Sequence, residues 1–167
     1  MEARDLALQI LSSPKLEDKL FFPATITDKK KGAPTRFEEP CRSYNMRFQK
    51  KGAKETLPSC NEHKKKEMRA ICLHRFCGHE LLAVEIMAQA LLLFEDAPQS
   101  FRQGLLHTLK EEQQHVRLYL ARMEAFSLKL GDLPMYRHFW KHIPYMHTPS
   151  DYLSMMSMTF EMANLDF

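Results

Sequence analysis

Two long stretches of this chain lack any internal proline and almost all glycine, and a short break joins them. From His63 to Phe94 there is no proline and the only glycine is Gly78; from Pro98 to Leu130 the only glycine is Gly104, and Gly131 follows. Proline and glycine are the usual helix breakers, so each stretch can run as one helix of about 30 residues, roughly 45 Å long at 1.5 Å per residue. Apolar or small residues recur at three-to-four spacing at Phe76, Ala83, Met87, Ala90 and Phe94 in the first stretch. Leu105, Leu109, Val116, Leu120 and Met123 do the same in the second. Glu95, Asp96, Ala97 and Pro98 read as the turn, with Asp96 as N-cap and Pro98 in the first turn of the second helix. Gly131 is placed to close the second helix. The chain is therefore expected to be all-α, built on a long antiparallel helix pair.

The flanks read differently. Residues 3–12 have the pattern of a short amphipathic helix, with Leu6, Ile10 and Leu11 on one side and Pro14 as its stop. From Pro23 to about Cys60 no period is visible, which predicts a long irregular segment. After Gly131 a short helix is expected over Tyr136–His142. Thr148, Pro149, Ser150 and Asp151 then form a strong helix start, with cap, proline and acid in order. That third helix is still running at Phe167. The division expected is an N-terminal part, 1–62, of a short helix and an extended basic segment, and an incomplete helical bundle, 63–167.

Charge is unevenly spread. Residues 24–66 hold 12 Lys and Arg against 5 Asp and Glu, including Lys29–Lys31, Lys50–Lys51 and Lys64–Lys66. Such a stretch could meet nucleic acid or another anionic surface. Without an interleaved aromatic pattern, a solvated loop is the preferred reading. No uninterrupted apolar run of about 18 residues exists, so no membrane partner is expected. Glu2 and Asp5 stand where an export signal would carry basic residues, so the expected location is the cytoplasm and the four cysteines are expected as free thiols.

Within the helix pair, three polar residues sit among the apolar positions. Glu80 lies between Phe76 and Ala83, and Glu112 and His115 lie between Leu109 and Tyr119. Glu-x-x-His projects both side chains from one helix face. Buried carboxylates and imidazoles need partners, and a divalent metal is one. Glu80 lies sixteen residues before Asp96 and Glu112 sixteen after it. In an antiparallel pair, equal distance from the turn means equal height, here about 24 Å. The connection after Gly131 is long enough to cross the bundle, which would let the third helix run parallel to the second and bring Glu161 down near the same level. A Glu on one helix with Glu-x-x-His on the next is half of a di-iron carboxylate site. A rival zinc reading uses Cys60-x-x-His63 with Cys72, His74, Cys77 and His79, but helical placement is expected to spread the last four around the axis. Glu85 reads as a partner that supports the ligands from behind or packs beside them, His79 as a capped or hydrogen-bonded rather than ligating residue, and Gly104 as a site of close helix approach.

The stretch from His74 to Phe167 resembles the ferritin-like superfamily. It is similar in particular to an uncharacterised bacterial ferritin-like family, a domain of unknown function. The motifs that carry the likeness are His79 to Ile86, Asp96 to Pro98, Glu111 to His115, Gly131 to Pro134, and Glu161 to Asp166. The resemblance implies a ferritin-like bundle with a di-iron site, or a manganese one, ligated by Glu80, Glu112, His115 and Glu161. It further implies an O2-activating oxidoreductase of hydroxylase type. The family pattern continues into a fourth helix with a second Glu-x-x-His, so this chain is expected to be C-terminally truncated. Two alternatives stand beside that reading: a non-catalytic metal-binding or scaffold protein, and an RNA-modifying or RNA-binding protein, since a tRNA hydroxylase belongs to the same superfamily. With the fourth helix missing, an apolar groove is expected. The Lys-rich N-terminal segment is expected to cover it poorly, which favours an exposed groove or self-association.

Overall fold

The computed structural model describes residues 1–156 and is all-α, with no strand among them. Five α-helices follow in order: α1 (Ala3–Ser12), α2 (Leu16–Leu20), α3 (Lys66–Leu93), α4 (Gln99–Glu124) and α5 (Pro149–Leu153). Short 3-10 turns occur at Tyr44–Met46, Cys60–Lys64 and Trp140–Tyr145. The two stretches free of breakers form α3 and α4, which pack as an antiparallel hairpin. The third expected helix starts where its capping signal lies. Thr148 accepts from the Asp151 amide, and the Asp151 carboxylate accepts from the Thr148 amide at 2.8 Å.

Four local expectations are corrected. Asp96 does not cap α4; Pro98 occupies that position and the helix begins at Gln99. The helix ends at Glu124, six residues before Leu130, because Ser127 takes the left-handed conformation (φ 53°) and the Leu128 amide reaches back to the Met123 carbonyl. Gly131 is also left-handed (φ 96°), but it closes a separate turn beyond the helix, packed against Asn45. The short helix expected over Tyr136–His142 lies further on, as the 3-10 turn Trp140–Tyr145. Gly104 has nothing within 4 Å of where a Cβ would stand, so it permits no close approach; of the two helical glycines the tighter is Gly78, where the Met135 side chain packs.

α3 is the core helix. Its residues are buried almost all round from Leu81 to Leu92, not along one stripe. By length and mean hydropathy it could cross a membrane, yet 72% of its most apolar window is buried inside the fold. Two different partners account for this. α4 covers one side. The N-terminal segment covers another, far more closely than its polarity suggested. α1 buries Ala3, Leu6, Ala7, Ile10 and Leu11, and belongs to the same hydrophobic core as α3 and α4. The irregular chain that follows is fastened by polar groups. The Gln89 side chain donates to the Thr35 carbonyl and accepts from the Phe37 amide, and the Thr35 amide donates to the Leu92 carbonyl. Glu85, with no exposed surface, is held between the Lys19 amine and the Arg42 guanidinium, both themselves buried. Lys30, Lys31 and Arg36 are likewise engaged, with Asp5, Asp28 and the carbonyls of Ile143 and Met146. Part of the basic stretch is thus tied to the fold, Arg42 inside it and Lys30 and Lys31 at its surface.

The α3–α4 turn is set by Arg102, which is fully buried. Its guanidinium donates to the carbonyls of Leu91 and Phe94, both at 2.8 Å, and grips Asp28 through two bonds of 2.7 Å. It thereby satisfies helix-end carbonyls that α3 cannot satisfy itself. After α4 the chain returns along the hairpin, and Tyr152 of α5 packs edge-on to Phe101 near the start of α4, ring centroids 6.0 Å apart.

Candidate metal centre

Glu80 projects from α3 into the seam with α4, where Glu112 and His115 project from one face of α4. The His115 Nδ1 lies 3.0 Å from the Glu112 carboxylate and 3.5 Å from that of Glu80. One ligand atom from each residue falls within 4.8 Å of the others, so the three form a group that could hold a metal ion. The matched spacing about Asp96 therefore corresponds to a contact across the helix pair. α4 can present this face because its opposite face is pinned: the Gln113 amide donates to the carbonyls of Lys19 and Phe21, at 2.8 and 3.0 Å.

The electrostatics follow from placing two carboxylates together. Burial, reinforced by the hydrogen bond and charge of Glu112, pushes the Glu80 carboxyl up to about 9. Glu80 is thus an acid at neutral pH when no cation is present. Tyr119, one turn beyond His115, has its phenol pushed up by burial and by the charges of Glu80 and Cys77.

An open groove of about 430 Å³ runs from this group between the helices. Leu73, Leu118, Tyr119 and Arg122 line it together with Glu80 and His115. Phe76 stands on its flank, 40% exposed, with its ring 6.3 Å from that of Tyr119. Phe76 was expected in the buried stripe; it borders the groove instead.

Residues 5–167 match the family described as "Protein of unknown function (DUF455)". The chain belongs to the DUF455 family. No curated protein and no solved structure matches it.

Of the four residues expected to ligate metal in this DUF455 chain, Glu80, Glu112 and His115 come together, and Glu161 lies outside the described residues. His79 is hydrogen-bonded as expected, 2.7 Å from the Glu55 carboxylate, with its ring stacked on His138. Glu85 serves the N-terminal clamp and takes no part in the centre. Leu118 and Arg122 went unnoticed in the sequence, and Tyr119 was read only as a neighbour in the stripe. Their spacing of three, four and seven residues from His115 puts them on its helix face, and that is the signal that could have found them.

Proposed function

We propose that this chain is a ferritin-like carboxylate metalloprotein and an O2-activating oxidoreductase of hydroxylase type. Glu80, Glu112 and His115 would hold iron, or manganese, with Glu161 as a further carboxylate. The observation that carries this reading is the convergence of the three donors from two helices at one level. Two carboxylates and an imidazole suit hard to borderline divalent ions. The raised Glu80 supports the fit, since paired carboxylates need either a proton or a cation between them.

Bound iron would supply one-electron and O2 chemistry. The rest falls to the chain itself. Glu80 gives up its proton to solvent as it takes up the cation. Glu112 fixes the His115 ring through Nδ1 before any metal arrives. Leu73, Phe76, Leu118 and Tyr119 provide an apolar wall beside the group.

Anaerobic Fe2+ titration of the chain tests the reading. Saturable binding that is lost in Glu112→Gln and His115→Ala is expected, with O2 consumption when air is admitted. Binding without O2 consumption would favour the non-catalytic metal-holding alternative. No binding, or binding indifferent to both substitutions, overturns the proposal.

A further inference from the structure

A second group of metal-ligating side chains lies at the start of α3, away from the carboxylates. Of the six Cys and His residues in the zinc-like pattern, three are committed elsewhere. His74 Nε2 accepts from the Gly131 amide, the Cys77 thiol points to the Val116 carbonyl, and His79 pairs with Glu55. Of the other three, two meet. The Cys72 Sγ lies 3.4 Å from the His63 Nε2. Two ligands of a tetrahedral zinc ion, at about 2.3 Å for sulfur and 2.0–2.1 Å for nitrogen, stand about 3.5 Å apart. Cys60 and His63 are separated by three residues in the 3-10 turn Cys60–Lys64, and such residues eclipse one another on one face. The face that brings His63 to Cys72 therefore also carries Cys60.

The turn is held at both ends. Glu62 accepts from the Ser59 amide at 3.0 Å and from its hydroxyl at 2.9 Å. Arg69 of α3 donates to the carbonyls of His63 and Lys64, at 2.7 and 2.9 Å. His63 is thus presented to α3 by backbone contacts that do not depend on its ring. All four cysteines are free thiols. Cys60 is exposed, and its thiol does not lie within 4.8 Å of both other ligand atoms, so a bound ion has to draw it in. The Cys72 thiol is pushed up by burial and by the nearby Cys60, so without metal it carries its proton.

We propose that Cys60, His63 and Cys72 form a second metal site, for a thiolate-preferring ion of the zinc class, that clips the end of the irregular segment to α3. Two thiols lose their protons to solvent on binding, the imidazole donates its Nε2 lone pair, and solvent completes the tetrahedron. The donor set keeps the two sites apart chemically: sulfur selects zinc-like ions here, whereas the carboxylates favour harder ones. Along α3, Cys72 precedes Glu80 by eight residues, about 12 Å.

Cobalt(II) titration of the full chain under reductant tests this, because only a sulfur-ligated tetrahedral cobalt gives both thiolate charge-transfer absorption and intense visible bands. The carboxylate centre has no sulfur and gives no thiolate charge transfer. The bands are expected in the unaltered chain and in Glu80→Gln, and Zn2+ should abolish them. Cys60→Ser should weaken binding by at least the roughly 10–100-fold seen when mere outer-shell partners are lost. Cys60 is exposed, so unchanged far-ultraviolet dichroism will show that this variant folds; Cys41→Ser should behave as the unaltered chain. Absence of charge transfer in the unaltered chain, or bands undiminished in Cys60→Ser, overturns the proposal.

Discussion

Glu80, partly buried, and Glu85, fully buried, lie five residues apart on α3 and are held by opposite means. Glu80 faces another carboxylate, Glu112, and is held as an acid at up to about 9. Glu85 faces two cations, Lys19 and Arg42, and its charge is compensated twice over. Five residues on an α-helix turn the side chain through about 140°, enough to put one residue on the α4 side and the other under the N-terminal segment. The two invite opposite predictions.

At Glu80 the metal-free protein should become less stable as pH rises. The unfolded carboxyl loses its proton near 4.5 while the folded one keeps it up to about 9, so between those values the unfolded state binds fewer protons and stability falls. The expected loss, discounted for partial exposure, is about 2–4 kcal/mol across that window. Urea denaturation in the presence of a chelator should show this slope, and Glu80→Gln should flatten it and be the more stable form at about pH 8. A pH-independent midpoint in the unaltered chain would contradict the assignment.

At Glu85 the same change should be damaging. Glu85→Gln leaves Lys19 and Arg42 buried with no counter-charge, a defect that costs about 3–5 kcal/mol. Burial already pulls the Lys19 amine down and Glu85 pulls it back up, so the variant removes the main influence that favours the charged amine. Thermal unfolding should show a large drop in midpoint, with α1 and α2 gaining fast amide exchange first.

His74 predicts sensitivity to acid. It is fully buried, and burial and Arg75 hold its pKa down at about 4, so the folded ring stays neutral. Between about pH 6.5 and 4 the unfolded state takes up a proton that the folded state refuses, and stability falls as pH falls. About 1–3 kcal/mol should be lost over that range. His74→Gln, which retains an acceptor for the Gly131 amide, should be less stable at neutral pH and lack this acid slope.

Gly104 offers a gain. It is an exposed mid-helix glycine with nothing near its missing side chain, so Gly104→Ala should stabilise the protein by about 0.5–1 kcal/mol. A loss of stability in calorimetry would mean that something packs on this face of α4.

The helix pair and its three-residue centre were legible because both depend on period and spacing, which are properties of sequence. Glu80 and Glu112 could be set level by counting from Asp96, and the Thr148 start could be read from its cap. What could not be read depends on contacts distant in the chain. Nothing near Glu85 announces Lys19 or Arg42, so its role as an anchor was invisible, and with it the way a Lys-rich segment could lie against the core helix. The early end of α4 escaped because Ser127 adopts a conformation usually left to glycine, while the real glycine, Gly131, stands four residues on.

Arg102 has a consequence reaching well beyond the turn it fills. Its guanidinium ties the last carbonyls of α3 to the first turns of α4, so it sets how far one helix is slid along the other. Helices are stiff rods, and a slip introduced at the joint arrives undiminished at the far end. One turn of error is about 5.4 Å, more than the whole spread of the three donors. A residue that touches none of Glu80, Glu112 or His115 thus acts as their alignment pin, and Arg102→Lys should scatter them while leaving each side chain intact.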